Sequence, residues 1–112
     1  MSLWDQVNTS SNSMEQGTNE KHVPQVSVEK LSNTQVKVKV NVGGGKHPNE
    51  IDHWFQWVVL RVNELFVGKA EFSAVIMEPI AEFIINVKPG AVITARARCN
   101  KHGLWESDPI TI

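Results

Sequence analysis

The chain has 112 residues, of which 41% are hydrophobic and 21% are charged, and its formal net charge is −1. These values are typical of one globular domain, and they argue against a disordered chain and, without a basic stripe, against a nucleic-acid-binding protein. No apolar run approaches the ~18 residues that a membrane-spanning helix needs, so we expect no membrane partner either.

The N-terminal residues differ in composition from the rest of the chain. Residues 1–19 are rich in Ser, Asn, Thr and Gln, and such a segment cannot bury enough apolar surface to form a core. We therefore predict a polar N-terminal arm over 1–19 and one folded domain over 20–112. The arm lacks the basic and then apolar layout of a secretory signal, and the single cysteine, Cys99, cannot form an internal disulfide. We expect a cytoplasmic protein, because a reducing compartment keeps this thiol free.

The domain is patterned for β-strands. Strict alternation of valines with polar residues over 36–42 predicts a half-buried strand. The segment 54–62 is apolar on both faces, which predicts a central strand. Shorter strands are predicted at about 65–75 and 81–87, and Lys88-Pro89-Gly90 predicts a turn.

The last third of the domain repeats this pattern. Within 91–99, Ile93, Ala95, Ala97 and Cys99 fall on one face, so the thiol is predicted to point inward. A final strand at about 104–112 follows a tight corner. Six or seven short strands, regular turn signals and no sustained helical period predict an all-β fold, an antiparallel β-sandwich.

Five potential metal donors lie at the ends of these segments. They are His22, His47, His53, Cys99 and His102. Any one of them alone would be interpreted as an ordinary surface histidine or a small buried cysteine. Together they favour a metal site, because none lies in the middle of a strand. A thiolate with several imidazoles suits iron, copper or zinc and disfavours magnesium and calcium.

Two alternatives remain open at this point. A cupredoxin-like copper carrier uses two histidines and a cysteine, but it would leave two histidines unexplained and usually adds a methionine downstream of the cysteine. An immunoglobulin-like binding module with a structural zinc would use four of the five donors.

Three segments carry a resemblance to a known family. They are Glu20-Lys21-His22-Val23-Pro24, His47-Pro48-Asn49 followed by His53, and Cys99-Asn100-Lys101-His102-Gly103-Leu104-Trp105. In this order they resemble the signature segments of superoxide reductases of the one-iron neelaredoxin type, in the desulfoferrodoxin family, over about residues 20–112. The resemblance implies a seven-stranded immunoglobulin-like β-sandwich.

The resemblance also implies the site and its chemistry. By matching position, one mononuclear non-haem iron is held by His22, His47, His53 and His102 in a plane and by Cys99 on the axis. Glu20 matches a glutamate that can close the sixth position in the oxidised state, and Lys21 matches a lysine that attracts superoxide and helps to supply protons. The domain over 20–112 is then an iron-binding domain.

The activity implied is the one-electron reduction of superoxide to hydrogen peroxide, a detoxification reaction in oxidative stress. The implied electron donor is rubredoxin or a similar carrier, and we expect a homo-oligomer. The chain lacks the four cysteines of the additional rubredoxin-like domain found in desulfoferrodoxins. Lys21, Lys46 and Lys101 each precede a candidate histidine, and a local positive field of this kind would steer a small anion.

Overall fold

The fold is built from β-strands. The computed structural model describes residues 7–9, 22–43 and 47–112, and these form nine strands. The strands are β1 (Val7–Asn8), β2 (Pro24–Lys30), β3 (Gln35–Val42), β4 (Phe55–Val62), β5 (Leu65–Glu71), β6 (Ile80–Asn86), β7 (Val92–Cys99), β8 (Gly103–Glu106) and β9 (Ile110–Thr111). Seven of them, β2 to β8, have four or more residues.

The strands form two sheets. The larger sheet has six strands in the order β1-β8-β7-β4-β5, with β9 also paired to β7, and the smaller sheet has the order β2-β3-β6. Among the described strands every pairing is antiparallel except that of β1 with β8. The predicted all-β sandwich with mainly antiparallel sheets is confirmed.

The core lies between the two sheets. The inward valines of β3 are between 0% and 4% exposed, and Ile93, Ala95, Ala97 and Cys99 of β7 are each 0% exposed. Successive side chains of a strand point to opposite faces, so the alternation in the sequence places one residue of every two in the core. The inward orientation predicted for Cys99 is therefore correct.

The predicted central strand is β4, which lies between β7 and β5. Val58 and Leu60 point into the core and are 0% exposed. Trp57 and Arg61 are half-buried and lie on strand β4 beside Arg98 and Thr94 of β7. The apolar character of both faces thus reflects one buried face and one half-covered outer face.

Two predicted strands differ from those observed. The strand predicted at about 65–75 ends at Glu71, and the final strand predicted at about 104–112 is two strands, β8 and β9. Ser107 interrupts the second: its N–H donates to Ala95 O at 2.8 Å, and its hydroxyl accepts from the Ala95 N–H at 2.9 Å. Pro109 follows and has no N–H to give to a ladder.

Part of the predicted arm takes part in the larger sheet. Val7 and Asn8 pair with Leu104 and Trp105, and Asn8 Nδ2 donates to Leu104 O at 3.1 Å. The remainder of 1–19 lies outside the described residues. Within the described part of the chain, we find no helix with the length and apolar character needed to cross a membrane.

Candidate metal centre

The five predicted donors meet at one end of the sandwich. His22 comes just before β2, and His47 and His53 lie in the segment between β3 and β4. Cys99 is the last residue of β7, and His102 lies in the turn between β7 and β8. One ligand atom from each residue lies within 4.8 Å of the other four, and we call this group the donor cluster.

The closest distances within the cluster are those of ligands to one ion. His102 Nδ1 lies 3.0 Å from His22 Nε2 and 3.2 Å from His53 Nε2, and His47 Nε2 lies 3.2 Å from Cys99 Sγ. With metal–nitrogen and metal–sulfur bonds of about 2.1 and 2.3 Å, ligands at right angles are about 3.0–3.1 Å apart. The cluster therefore fits a single metal ion.

The four imidazoles form a closed cycle. The ring of His22 contacts those of His47 and His102, with centroids 4.7 and 4.6 Å apart. The ring of His53 contacts the same two, at 4.6 and 5.0 Å. His47 and His102 are therefore opposite corners of a four-sided arrangement.

Cys99 lies on the axis of this arrangement. Its Sγ is 3.2 Å from His47 Nε2 and 3.7 Å from His102 Nδ1, so it is close to two opposite corners. The sulfur is fully buried, whereas His53 and His102 are half-buried. The buried side of the four nitrogens is thus occupied by sulfur, and the opposite side faces away from the core.

Burial keeps the imidazoles neutral. It lowers the pKa of His47 from 6.5 to about 4, with a further contribution from the neighbouring His22, against a smaller opposing effect of the Pro48 carbonyl. Burial also lowers the pKa of His53, helped by His102 and Lys101. A metal ligand must be deprotonated, so these shifts favour the form that binds a metal.

A hydrogen bond orients His47. Its Nδ1–H donates to the Pro48 carbonyl at 2.6 Å, which leaves the Nε2 lone pair directed toward the cluster. Such outer hydrogen bonds fix the tautomer and the ring orientation of metal-binding histidines. Sequence reasoning assigned no role to this carbonyl, and a proline directly after a candidate ligand was the available signal.

Trp105 supports two other histidines. Its ring stacks on His22 with centroids 4.7 Å apart and an interplanar angle of 20°, and its Nε1–H donates to His102 O at 3.0 Å. The side chain is 1% exposed. The sequence analysis quoted Trp105 within a motif without giving it a function, although a tryptophan so close to a ligand turn was visible.

The turn between β7 and β8 is tight enough to present two donors. Cys99 pairs with Gly103 across a three-residue turn, and Gly103 has a φ of 84°. A left-handed residue after a short turn closes hairpins of this kind, and glycine adopts that conformation without a steric cost. The Cys99 sulfur and the His102 ring can therefore meet at the same ion.

Asn49 attaches the His47 segment to a neighbouring loop. Its Nδ2 donates to Met77 O at 2.9 Å, and its Oδ1 accepts from the Val75 N–H at 2.7 Å. Val75 has a φ of 70°, which is costly for a β-branched residue and persists only where its surroundings enforce it. Asn49 is a second residue whose role the sequence analysis missed.

The remaining predicted residues are only partly visible. Glu20, Lys21 and Lys46 lie outside the described residues, so their predicted roles stay predictions. Lys101 is described: its side chain is 51% exposed, and its Nζ lies 3.9 Å from Asp52 Oδ2.

Comparison with known proteins decides the family. The family model described as Desulfoferrodoxin matches residues 14–108. The chain belongs to the desulfoferrodoxin family. A protein of Thermococcus kodakarensis named superoxide reductase is 37% identical over 99 residues, which span 80% of this chain and 85% of the relative. A protein of Nitratidesulfovibrio vulgaris named desulfoferrodoxin is 37% identical over 92 residues, 82% of this chain and 65% of the relative.

Solved structures of desulfoferrodoxin-family proteins have the same fold. A superoxide reductase (neelaredoxin) from Ignicoccus hospitalis superposes with a TM-score of 0.83 at 26% identity, covering 99% of this chain and 98% of that chain. The reduced form of the Archaeoglobus fulgidus superoxide reductase (neelaredoxin) gives 0.76 at 29% identity, covering 95% and 98%. The family assignment argues against both the cupredoxin-like and the zinc-module alternatives.

Proposed function

We propose that this protein is a superoxide reductase, an oxidoreductase that converts superoxide, one electron and two protons into hydrogen peroxide. The observation that carries this proposal is the donor cluster, in which four imidazole nitrogens and one sulfur fit a single ion and leave one side free of protein donors. Membership of a family whose relatives are named superoxide reductases supports it.

The proposed cofactor is one mononuclear non-haem iron. The proposed ligands are His22, His47, His53 and His102 around the plane and Cys99 on the axis. Imidazole and thiolate donors suit iron, and five donors exceed the four that a closed zinc site takes. Iron bound there supplies the electron that superoxide takes up.

The arrangement of the protein groups suits a small anionic substrate. Cys99 closes the buried side, so superoxide approaches from the side on which His53 and His102 are half-exposed. A thiolate on the axis also donates electron density to the metal, as it does in thiolate-ligated haem proteins.

Glu20 and Lys21 have proposed roles on the substrate side. Lys21 would attract the anion and help to deliver protons, and Glu20 would close the sixth position in the oxidised state. Their sequence positions, one and two residues before the buried His22, support these roles.

An external reductant has to restore the iron after each turnover. We propose rubredoxin or a similar small electron carrier, acting in the cytoplasm, where Cys99 stays reduced. We also propose a homo-oligomer. Leu65, Phe66 and Val67 of β5 are 71%, 66% and 42% exposed on an edge strand, and apolar edges of this kind pair with other chains. Analytical ultracentrifugation tests the oligomeric state.

The activity is tested by stoichiometry. The purified protein, with its iron content measured, is exposed to a superoxide flux with and without reduced rubredoxin, and metal-free protein serves as the control. We expect one rubredoxin oxidised and one hydrogen peroxide formed for each superoxide consumed.

Two results would contradict the proposal. Superoxide removal that consumes no reductant and yields one peroxide for every two superoxides would indicate dismutation. Iron-loaded protein that removes no more superoxide than the metal-free control would exclude both reactions.

A further inference from the structure

Asn100 lies between two members of the donor cluster, directly after Cys99 and two residues before His102. Its backbone N–H donates to Trp54 O at 3.2 Å, and its Oδ1 accepts from the Trp54 N–H at 3.0 Å. Its Nδ2 donates to Asp52 O at 2.8 Å. We call these three bonds the Asn100 clip. They connect the turn that carries Cys99 and His102 to the residues on either side of His53.

The clip acts where the strand ladder becomes irregular. The pairing of β4 with β7 shifts register between Phe55 and Trp57, just before the last pair, Phe55 with Cys99. His53 lies beyond that pair in a short turn, with backbone bonds to and from Glu50 at 3.1 and 2.9 Å. Because regular pairing ends at Phe55, the ladder alone does not hold this turn beside Cys99.

The opposite end of the same ladder provides a comparison. Asn63 follows β4, its N–H donates to Val92 O at 2.8 Å, and its Oδ1 accepts from the Val92 N–H at 3.0 Å. This is the same pair of bonds that Asn100 makes with Trp54. The difference is the third bond of the clip, which extends past the partner strand to Asp52, the residue before His53.

We infer that Asn100 is a positioning residue of the metal centre, whose side-chain amide holds the His53 turn at ligand distance from His102 and Cys99. This inference rests on the part of the proposed function in which the cluster binds a metal. Residues that orient metal ligands typically contribute about 10- to 100-fold to metal affinity. We expect a loss of that size when the amide is removed.

Three variants of the full chain test the inference. Asn100→Ala removes both side-chain bonds. Asn100→Asp keeps an oxygen for the Trp54 N–H but places an acceptor against Asp52 O. Asn63→Gly is the matched control: it removes the equivalent bond at the other end, and glycine tolerates the φ of 51° found at Asn63.

The measurements are the Co²⁺ affinity, determined by chelator competition, the visible d–d spectrum of the Co²⁺-loaded protein, and urea unfolding of the metal-free protein. We expect both Asn100 variants to lose about 10- to 100-fold in Co²⁺ affinity and to show altered d–d bands. Asn63→Gly should keep the wild-type affinity and bands even where its unfolding midpoint falls as far.

Other outcomes would overturn the inference. Wild-type affinity and bands in Asn100→Asp would show that the bond to Asp52 does not position His53, and this variant decides the matter if Asn100→Ala does not fold. An equal loss in Asn63→Gly would reduce Asn100 to a general stabilising residue. Failure of the proposed reaction is seen separately, as iron-loaded wild-type protein that does not consume superoxide while the Co²⁺ differences persist.

Discussion

The two ends of the β-sandwich are made by the same strands but differ in what they bury. Strand β7 starts with Val92 and Ile93 at one end and finishes with Cys99 at the other. At the first end, which we call the distal end, mainly apolar side chains line an open cavity of about 420 Å³. At the metal end, the polar rings of His22 and His47 are buried instead. The comparison shows that the strands provide stability along their whole length, whereas the metal chemistry depends on the turns at one end.

The largest effect is expected from removing the sulfur at the metal end. Since residues that only orient a ligand contribute about 10- to 100-fold to metal affinity, Cys99→Ala should cost more than about 100-fold in iron affinity. It should also abolish the sulfur-to-iron absorption band, while the metal-free fold loses only about 1 kcal/mol. Iron analysis, visible spectra and urea unfolding check this. An unchanged visible spectrum of the iron-loaded variant would remove Cys99 from the ligand set.

The converse is expected at the distal end of the same strand. Ile93→Ala should lower the free energy of unfolding by about 2–5 kcal/mol, because Ile93 is 0% exposed and its loss leaves a cavity in the core. Iron affinity and the superoxide rate should remain near wild type below the unfolding transition. Loss of iron in this variant while it is still folded would show that the two ends are coupled more tightly than we infer.

The next effect concerns pH and the buried imidazoles of the metal end. The pKa of His47 is about 4 in the folded chain against 6.5 for an ordinary histidine, so between these values the unfolded state binds more protons. The metal-free protein should therefore lose stability as the pH falls from about 6.5 toward 4. Urea unfolding across this range measures the loss, and His47→Gln should reduce the slope. An identical pH dependence in the variant would contradict the assignment to His47.

A smaller effect is expected from the aromatic support of the cluster. Trp105→Phe keeps a ring to stack on His22 but removes the donor to His102 O, a bond whose loss costs about 2- to 10-fold. We expect metal affinity to fall within that range in Co²⁺ competition. Trp57→Phe, on the outer face of β4, is the control and should leave the affinity unchanged. Equal losses in both variants would mean that the effect is not specific to the metal end.

The smallest effect is expected from Lys101. Its Nζ is 3.9 Å from Asp52 Oδ2 and its side chain is 51% exposed, so its charge is partly compensated and screened. Lys101→Ala should slow the reaction with superoxide by less than about twofold at low salt. Stopped-flow or pulse-radiolysis rates at several ionic strengths check this, with Lys69→Ala as a control of equal charge. A tenfold loss confined to Lys101→Ala would make this lysine part of the substrate path.

Much of the fold was predictable because strand periodicity is a local property. The alternation over 36–42 and over 91–99 appears in the structure as the buried valines of β3 and the inward face of β7. The break at Ser107 was not predictable from periodicity, because it depends on a hydroxyl that replaces a ladder bond to Ala95. The pairing of Val7–Asn8 with β8 was missed for a similar reason, since two residues carry no period.

The sequence by itself determined which side chains could bind a metal and that Cys99 points into the core, since donor chemistry and strand alternation belong to residues and their immediate neighbours. Only the tertiary structure decided that the five donors meet, that His102 uses Nδ1 while the other histidines use Nε2, and that Asn100 ties the His53 turn to the β7–β8 corner. These features depend on segments that are 46–80 residues apart in sequence. Their distances are set by the packing and register of whole strands, which no local pattern specifies.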